Sequence, residues 1–316
     1  MRRKRTLLVA CALFAAFAVS LAPGVAGAST LNLSSEPPVP GAEPFAGGWA
    51  VPVSTEGPAW YDLDFYHRVM QAGTEGVRAP AGAELPTAVG LAYPGIRPGL
   101  WLVTVTTNPV GFAWCTANFV FQGSGGYGLG TAGHCAANDA LGAYPDVTAY
   151  VVPPVGSGQL PGFYHIGKFV LSHNNGIGDD FAMISIYSQY QSWVNPTMPV
   201  WGGPIGVYTS NTPTLAKHFG HGTALGTGGT PRAGVCAILD ARDGTAFAWY
   251  GAGSPGDSGS GVEAALGEAL GDFTHIVILD GIPGEILPGM LAGTRMTKIQ
   301  QIASGWTLVN GSLIPI

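Results

Sequence analysis

The sequence has few charged residues and few cysteines, and each shortage excludes a class of protein. Only 10% of its 316 residues are charged, whereas 47% are hydrophobic, so the chain can bury a sizeable core and is not of the charged, disordered type. It contains no Cys-x-x-Cys and no His-Glu-x-x-His motif, so neither a zinc ribbon nor a helical metalloprotease site is indicated. After residue 30, no apolar run approaches the roughly 20 residues of a membrane-spanning helix.

The first 28 residues have the pattern of an export signal. Residues 2–5 are basic, residues 6–22 form an uncharged apolar run, and Ala26-Gly27-Ala28 supplies small residues where a signal peptidase would cut. An uncleaved membrane anchor is the alternative. Removing the four signal cations takes the formal charge from −6 to −10, and an acidic protein repels phosphate backbones. We therefore expect a secreted, extracellular protein with no nucleic-acid partner and no stable membrane association after signal removal.

The rest of the chain divides into a leader and a strand-rich region. Residues 29–95 have the character of an N-terminal extension or pro-segment: residues 36–58 are rich in Pro, Gly and Ala, as in a linker or extended segment, and Tyr61 to Ala72 is patterned as a helix. From Trp101 onward, short apolar and β-branched runs alternate with Gly and Pro, which indicates an all-β barrel or sandwich. A helix is expected near Thr294 to Ala303. The expected strands are Trp101 to Thr107, Ala113 to Gln122, Val147 to Val152, Phe181 to Tyr187, Ala246 to Tyr250 and His275 to Leu279.

A glycine-flanked serine stands in the run Gly256-Asp257-Ser258-Gly259-Ser260-Gly261. A nucleophilic serine needs an exposed hydroxyl and backbone N–H groups aimed at the developing oxyanion, and glycines allow both the sharp turn and the close approach of substrate. Asp257 would pin that turn through backbone or charged contacts. A polar turn without chemistry is the alternative interpretation.

Two upstream motifs supply the partners that such a serine needs. In Thr131-Ala132-Gly133-His134-Cys135, small residues would hold a histidine at the end of a strand. Asp180 stands directly before an apolar, strand-like run, where a buried carboxylate would accept the other imidazole N–H and fix its tautomer. Asp179 competes for this role. Because neighbouring strand residues face opposite sides, only one of the two points inward, and Asp180 is preferred.

These motifs, in the order His, Asp, Ser, resemble those of the chymotrypsin/trypsin-like serine peptidases of the bacterial secreted type, over roughly residues 96–305. The resemblance implies an all-β fold of two packed six-stranded antiparallel β-barrels with a short C-terminal helix. The peptidase domain would span residues 96–316, with the boundary between the barrels near residues 190–205.

The resemblance also implies roles for individual residues. His134, Asp180 and Ser258 would form a catalytic triad, and the amides of Gly256 and Ser258 an oxyanion hole. Cys115 and Cys135 match the family disulfide, which leaves Cys236 as a free, buried thiol. Ala252 falls where trypsin places its specificity aspartate, so this neutral residue argues against a preference for Lys or Arg in the substrate.

The chain departs from the family pattern near the expected start of the peptidase domain. Pro94-Gly95-Ile96-Arg97 stands where an Ile-Val-Gly-Gly start is expected, so activation by a new N-terminus that pairs with Asp257 is in doubt. His275 has two interpretations, a substrate-pocket residue or a structural histidine, and the structural one is favoured.

Two other patterns have structural interpretations. The glycine-rich run from Gly123 to Gly128 fits a dinucleotide motif but has no helix signal after it, so a hairpin turn is expected. His218 and His221 lie three residues apart without a third ligand nearby, so no metal site is expected.

The sequence therefore predicts a secreted, monomeric serine endopeptidase that hydrolyses polypeptides through an acyl-enzyme on Ser258, without a cofactor or metal. The alternative is a catalytically weak or inactive trypsin-fold protein that is secreted and binds a partner.

Overall fold

Short strands dominate the part of the chain that the structure describes. The computed structural model describes residues 39, 41–53, 55–83, 85, 93–107, 110–136, 145–223, 229–279 and 289–314. The expected signal peptide, residues 1–28, lies outside these residues. Within them, no helix is both long and apolar enough to cross a bilayer.

Eighteen strands are found in the described residues. In chain order they are β1 (Glu43–Phe45), β2 (Gly48–Pro52), β3 (Thr55–Glu56), β4 (Trp101–Thr107), β5 (Val110–Thr116), β6 (Val120–Gly123), β7 (Gly126–Thr131), β8 (Asp146–Val151), β9 (Gly162–Asn174), β10 (Asp180–Ile186), β11 (Thr214–Gly220), β12 (Thr230–Asp240), β13 (Ala246–Gly251), β14 (Gly261–Glu263), β15 (Ala269–Asp272), β16 (His275–Leu279), β17 (Gly289–Thr294) and β18 (Thr307–Leu308).

The strands form two sheets. The order in the first sheet is β18-β6-β7-β10-β9-β8-β4-β5-β3, and the order in the second is β1-β2-β16-β17-β13-β12-β11-β14-β15. Neighbouring strands in both sheets are antiparallel. The register shifts once within each of the pairs β8–β9, β9–β10, β12–β13 and β14–β15, which marks bulges or irregularities, and bulges bend strands and increase their twist.

The all-β fold class is confirmed, although each described sheet has nine strands and not six. Strands from the chain ends account for part of the difference, because β1 and β2 extend the second sheet while β3 and β18 extend the first. The expected single run from Ala113 to Gln122 is interrupted at residues 117–119 and forms parts of β5 and β6.

The Pro- and Gly-rich segment at residues 36–58 is not a linker where it is described. Its residues form β1, β2 and β3, and they pair with strands of both sheets. Of the two expected alternatives, the extended segment is the one found, because strand addition at a sheet edge needs backbone hydrogen bonds and little from the side chains.

Helix α1 (Leu63–Gln71) confirms the helix expected at Tyr61 to Ala72. The Asp62 side chain caps it by accepting a hydrogen bond of 2.8 Å from the Phe65 amide, which satisfies an N–H that has no partner within the helix. The buried face of α1 packs on the first sheet in an aromatic cluster that includes Trp101 and Phe163.

The other helical elements are short. Helix α2 (Met296–Ile302) is the expected C-terminal helix. There are 3₁₀ turns at Gly133–Cys135 and Ser188–Trp193 and a helical turn at Ala241–Gly244. Strand β10 ends at Ile186 and β11 begins at Thr214, so residues 187–213 connect the two sheets.

Candidate active site

His134 and Asp180 meet because their strands are neighbours in the first sheet. Strand β7 pairs antiparallel with β10, with Thr131 opposite Ala182, so the end of β7 lies beside the start of β10. His134 follows in the 3₁₀ turn after β7, and Asp180 is the first residue of β10. Gly133 is required there, because a Cβ atom on it would lie 1.7 Å from the His173 carbonyl oxygen.

The His134 side chain joins Asp180 to Ser258. Its Nδ1 lies 2.7 Å from Asp180 Oδ2, and its Nε2 lies 2.9 Å from Ser258 Oγ. The His134 amide also donates a hydrogen bond of 2.8 Å to Asp180 Oδ1. Both carboxylate oxygens therefore hold the histidine, one through its ring and one through its backbone.

The protonation of the pair follows from its surroundings. Burial by itself raises the pKa of Asp180, but the charge and hydrogen bonds of His134 outweigh that effect and hold the pKa below its ordinary value. The carboxylate is therefore ionised at neutral pH, and Nδ1 of His134 carries the donated proton. In the neutral ring, Nε2 is then free to accept the hydroxyl proton of Ser258.

Ser258 lies in a tight, fully buried turn between the two sheets. Its carbonyl accepts a hydrogen bond of 2.7 Å from the Thr116 amide of β5, and the Gly259 amide donates to the Phe273 carbonyl at 2.7 Å. Gly256 has a φ of +100°, and a Cβ atom there would lie 2.7 Å from the His221 carbonyl oxygen. The turn thus depends on glycine both for its backbone conformation and for space.

Asp257 pins this turn through a buried ion pair. Its carboxylate is fully buried and accepts hydrogen bonds from the amides of Gly222 and Ser254, at 2.7 Å and 2.9 Å. Arg232 of β12 pairs with the same carboxylate through Nη1. The cation that balances Asp257 is therefore a side chain of this chain, and no newly formed N-terminus is needed for it.

The two predicted cysteine assignments are confirmed. Cys115 and Cys135 form a disulfide that links β5 to the turn carrying His134. Cys236 is unbridged and buried, and burial raises the pKa of its thiol to about 12. The disulfide lies next to His134, because Cys135 is the following residue in the same turn.

Asp179 points away from the site. It contacts the ring of His173, at 3.3 Å, and Lys298, at 3.5 Å, in a partly exposed cluster. The alternation of side chains along a strand separated the two aspartates as expected.

His275 lies behind Asp180 and is fully buried. Its Nδ1 is 4.0 Å from Asp180 Oδ2 and 2.7 Å from Thr274 Oγ1. Burial lowers the pKa of His275 to about 4, so this second imidazole is neutral and does not compete with His134 for the carboxylate charge. Its contacts place it beside Asp180, in a structural position.

Ala252 contacts His218, whereas His221 bonds to a different part of the chain. The Ala252 carbonyl accepts a hydrogen bond of 3.0 Å from His218 Nε2, and burial lowers the pKa of His218 to about 4. His221 Nε2 donates to the Gly99 carbonyl at 2.8 Å. Within the described residues, no three His, Cys, Asp or Glu side chains converge as metal ligands would.

Sequence reasoning missed Arg232 and Thr294. Thr294 Oγ1 accepts from the Asp180 amide at 3.2 Å and donates to the Asp180 carbonyl at 3.1 Å, so it fixes the backbone of that residue. Neither position has a motif around it. The one available signal for Arg232 was its charge, because it stands in a strand with few other charged residues.

The glycine run from Gly123 to Gly128 is the expected hairpin, with Gly123 opposite Gly126 in the pair of β6 and β7. After the hairpin, β7 continues to Thr131 and into the His134 turn. The helix that a dinucleotide-binding motif requires therefore does not follow the glycine run.

Comparisons with known proteins found similar solved structures only. A glutamic acid-specific serine protease that uses a histidine triad in substrate binding is 17% identical, with a TM-score of 0.46, over 68% of this chain and 100% of its own. The Nocardiopsis protease is 18% identical, with a TM-score of 0.45, over 67% and 98%. Protease A of Thermobifida fusca is 17% identical, with a TM-score of 0.41, over 68% and 99%. No protein-family model and no curated protein matches the chain.

These solved structures are serine proteases, the kind of protein that the three motifs resemble. At such identities and TM-scores the likeness carries no argument about chemistry, which must come from the residues of the site.

Proposed function

We propose that this protein is a secreted serine endopeptidase that acts on polypeptides through an acyl-enzyme on Ser258. The observation that supports it is the continuous contact from Asp180 through the His134 ring to Ser258 Oγ, at 2.7 Å and 2.9 Å. A serine hydroxyl is a weak nucleophile unless an adjacent base takes its proton, and the base works best when a third group orients it.

In the proposed reaction, Ser258 Oγ attacks the carbonyl carbon of the substrate while His134 Nε2 accepts the hydroxyl proton. Asp180 stabilises the imidazolium that results. The proton then passes to the leaving amine as the C–N bond breaks. Water, deprotonated by the same nitrogen, hydrolyses the ester and restores the serine.

The amides of Gly256 and Ser258 are the proposed oxyanion hole. They stand on either side of Asp257, whose buried contacts with Arg232 and two amides fix the turn. Fixed donors stabilise the developing negative charge without reorganisation, and one such donor contributes about 10²–10³ in rate.

The proposed side-chain specificity is for neutral residues. Ala252 presents no charge, and Gly253 beside it packs against Phe273 and Leu291. A cationic Lys or Arg side chain would lose its hydration in such surroundings without gaining a partner. The reaction as proposed needs no cofactor, and a monomer carries all three groups.

A fluorophosphonate probe tests this proposal, because it reacts only with an activated serine. We expect the wild-type protein to be labelled at Ser258 and the Ser258→Ala variant to be unlabelled. Ser260→Ala is the matched control, since this serine lies two residues away, and it should keep the label. A folded wild-type protein that takes no label and cleaves no peptide from a mixed library would favour the inactive binding protein instead.

A further inference from the structure

Asp272 is a fully buried acid that takes no part in the proposed reaction. It is the last residue of β15, opposite Gly261 of β14, and it has no exposed surface. Among the described residues, its Oδ2 atom has no hydrogen-bond partner. A buried polar atom without a partner costs free energy, so a carboxyl group at this position calls for an explanation.

Thr294 connects the Asp272 carboxyl group to Asp180. The Thr294 amide donates a hydrogen bond of 3.1 Å to Asp272 Oδ1. The Thr294 hydroxyl accepts from the Asp180 amide at 3.2 Å and donates to the Asp180 carbonyl at 3.1 Å. Gly293 allows this close approach, because a Cβ atom there would lie 1.6 Å from the Asp272 carbonyl oxygen. One threonine therefore contacts both acids, with its backbone on Asp272 and its side chain on Asp180.

The residue after Asp272 holds the turn that carries Ser258. The Phe273 amide donates a hydrogen bond of 2.9 Å to the Ser260 carbonyl, and the Phe273 carbonyl accepts from the Gly259 amide at 2.7 Å. Asp272 thus lies between two parts of the candidate site, the proposed triad acid and the serine turn. A change in the position of Asp272 would therefore displace both parts.

The charged and titratable side chains on the elements around Asp272 have other partners. Strands β14 and β17 and helix α2 pack around β15. The side chains and their partners are Asp180 with His134, Glu263 with Lys217, His275 with Thr274, Arg295 with Asn211 and Lys298 with Asp179. In the described part of the chain, no cation forms an ion pair with Asp272.

A carboxyl group in these surroundings holds its proton. Burial raises the pKa of Asp272 well above its ordinary value, and the negative charge of Asp180 raises it further. Two carboxyl groups that lie close together and away from water do not both ionise readily, and their environments decide which one keeps the proton. Here His134 stabilises the charge on Asp180, so the proton belongs on Asp272.

We infer that Asp272 is a positioning residue of the candidate site: as an un-ionised acid it fixes Thr294, and through Thr294 the backbone of Asp180; this inference rests on the proposed peptidase function. The neutral acid accepts the Thr294 amide without adding a second negative charge behind His134. The charge that stabilises the imidazolium in the proposed reaction therefore stays on Asp180, whose two oxygens both contact His134.

Unfolding measured at several pH values tests whether Asp272 carries a proton. In the unfolded chain an aspartate ionises at about pH 4. The stability that the protonated acid contributes is therefore complete below that pH and falls as the pH rises. We expect the unfolding equilibrium constant of Ser258→Ala, relative to that of Ser258→Ala with Asp272→Asn, to rise about tenfold per pH unit from pH 5 to pH 7. Asp240→Asn, at an exposed position, is the matched control, and its ratio should stay within about two-fold.

Steady-state kinetics on a peptide substrate tests the positioning role. Asp272→Asn keeps an oxygen that accepts the Thr294 amide, so its kcat should stay within a few-fold of wild type at neutral pH. Asp272→Leu removes the acceptor, and we expect kcat to fall by roughly 100-fold with little change in KM, because a small displacement of the triad acid misaligns the base. Thr294→Val keeps Asp272 but removes the hydroxyl, so it should lose kcat similarly, whereas Thr294→Ser should keep it.

Fluorophosphonate labelling of the wild type separates the two ways to fail. With a labelled wild type, a stability ratio that stays constant or stops rising before pH 7 would overturn this inference and leave the peptidase function standing. The same holds if Asp272→Asn loses as much kcat as Asp272→Leu, or if folded Asp272→Leu keeps the kcat of wild type. Should Asp272→Leu not fold, an unchanged kcat in Thr294→Val overturns the inference instead. A folded wild type that takes no label and cleaves no peptide would end the proposed function, and the positioning role with it.

Discussion

The two sides of the candidate active site are held in place by different kinds of interaction. On the first-sheet side, the disulfide between Cys115 and Cys135 and the two contacts with Asp180 fix His134. On the second-sheet side, the Ser258 turn depends on the buried pair of Arg232 and Asp257. A disulfide stabilises chiefly by restricting the unfolded chain, whereas a buried ion pair fails when either partner is removed. His134, the proposed base, is therefore held by a covalent link next to it and by hydrogen bonds, whereas the turn of Ser258, the proposed nucleophile, is held by a buried ion pair.

Replacement of the buried Asp180 carboxylate should have the largest effect, because it removes the group that holds His134 on the first-sheet side. We expect Asp180→Asn to lower kcat for peptide hydrolysis by about 10⁴-fold, because the amide neither fixes the tautomer of His134 nor stabilises its cation. Steady-state kinetics on a peptide substrate measures this. Asp179→Asn is the control and should stay within a few-fold of wild type. Equal losses in both variants would contradict the assignment of Asp180.

Removal of the Arg232 cation should destabilise the Ser258 turn on the second-sheet side. We expect Arg232→Met to lower the free energy of unfolding by about 3–5 kcal/mol, because Asp257 then stays buried without its counter-charge. Denaturant unfolding of the Ser258→Ala protein with and without this change measures the difference and avoids self-digestion. Arg68→Met, at an exposed helix position, should change it by about 0.5 kcal/mol or less. A small effect of Arg232→Met would mean that the amides alone hold the turn.

Loss of the disulfide should have a smaller effect and sharpens the contrast. The bridge closes a loop with a sequence separation of 20 residues, so Cys115→Ala with Cys135→Ala should cost about 3 kcal/mol. Cys236→Ala removes a buried thiol without a bridge and controls for lost packing. If the double variant were no less stable than the control, the disulfide would not be what holds the His134 side.

The motifs around His134, Asp180 and Ser258 were predictable from the sequence, because each depends on residues close to it along the chain. A serine between glycines, a histidine after small residues and an aspartate before an apolar strand each carry their signal within six residues. Strand boundaries followed for the same reason: Trp101 to Thr107 and His275 to Leu279 coincide with β4 and β16, where β-branched and apolar residues favour the strand directly.

What the sequence could not predict depends on contacts between distant segments. Arg232 reaches Asp257 only through the pairing of β11 with β12 and β14, and nothing near either residue announces it. The strands β1 to β3 lie in a segment whose composition is typical of linkers, and they form because edges of both sheets supply hydrogen-bond partners. The catalytic roles of His134, Asp180 and Ser258 stay predictions until labelling and kinetics test them.

The crossing from β2 to β3 makes one stretch of backbone a strap between the two sheets. While it is continuous, each strand sits on its edge at the high effective concentration that a short connection provides. Residues 48–52 pair with β16, and residues 55–56 pair with β5. Because the connection between them is so short, the two paired edges can move apart only if one of these strands leaves its sheet.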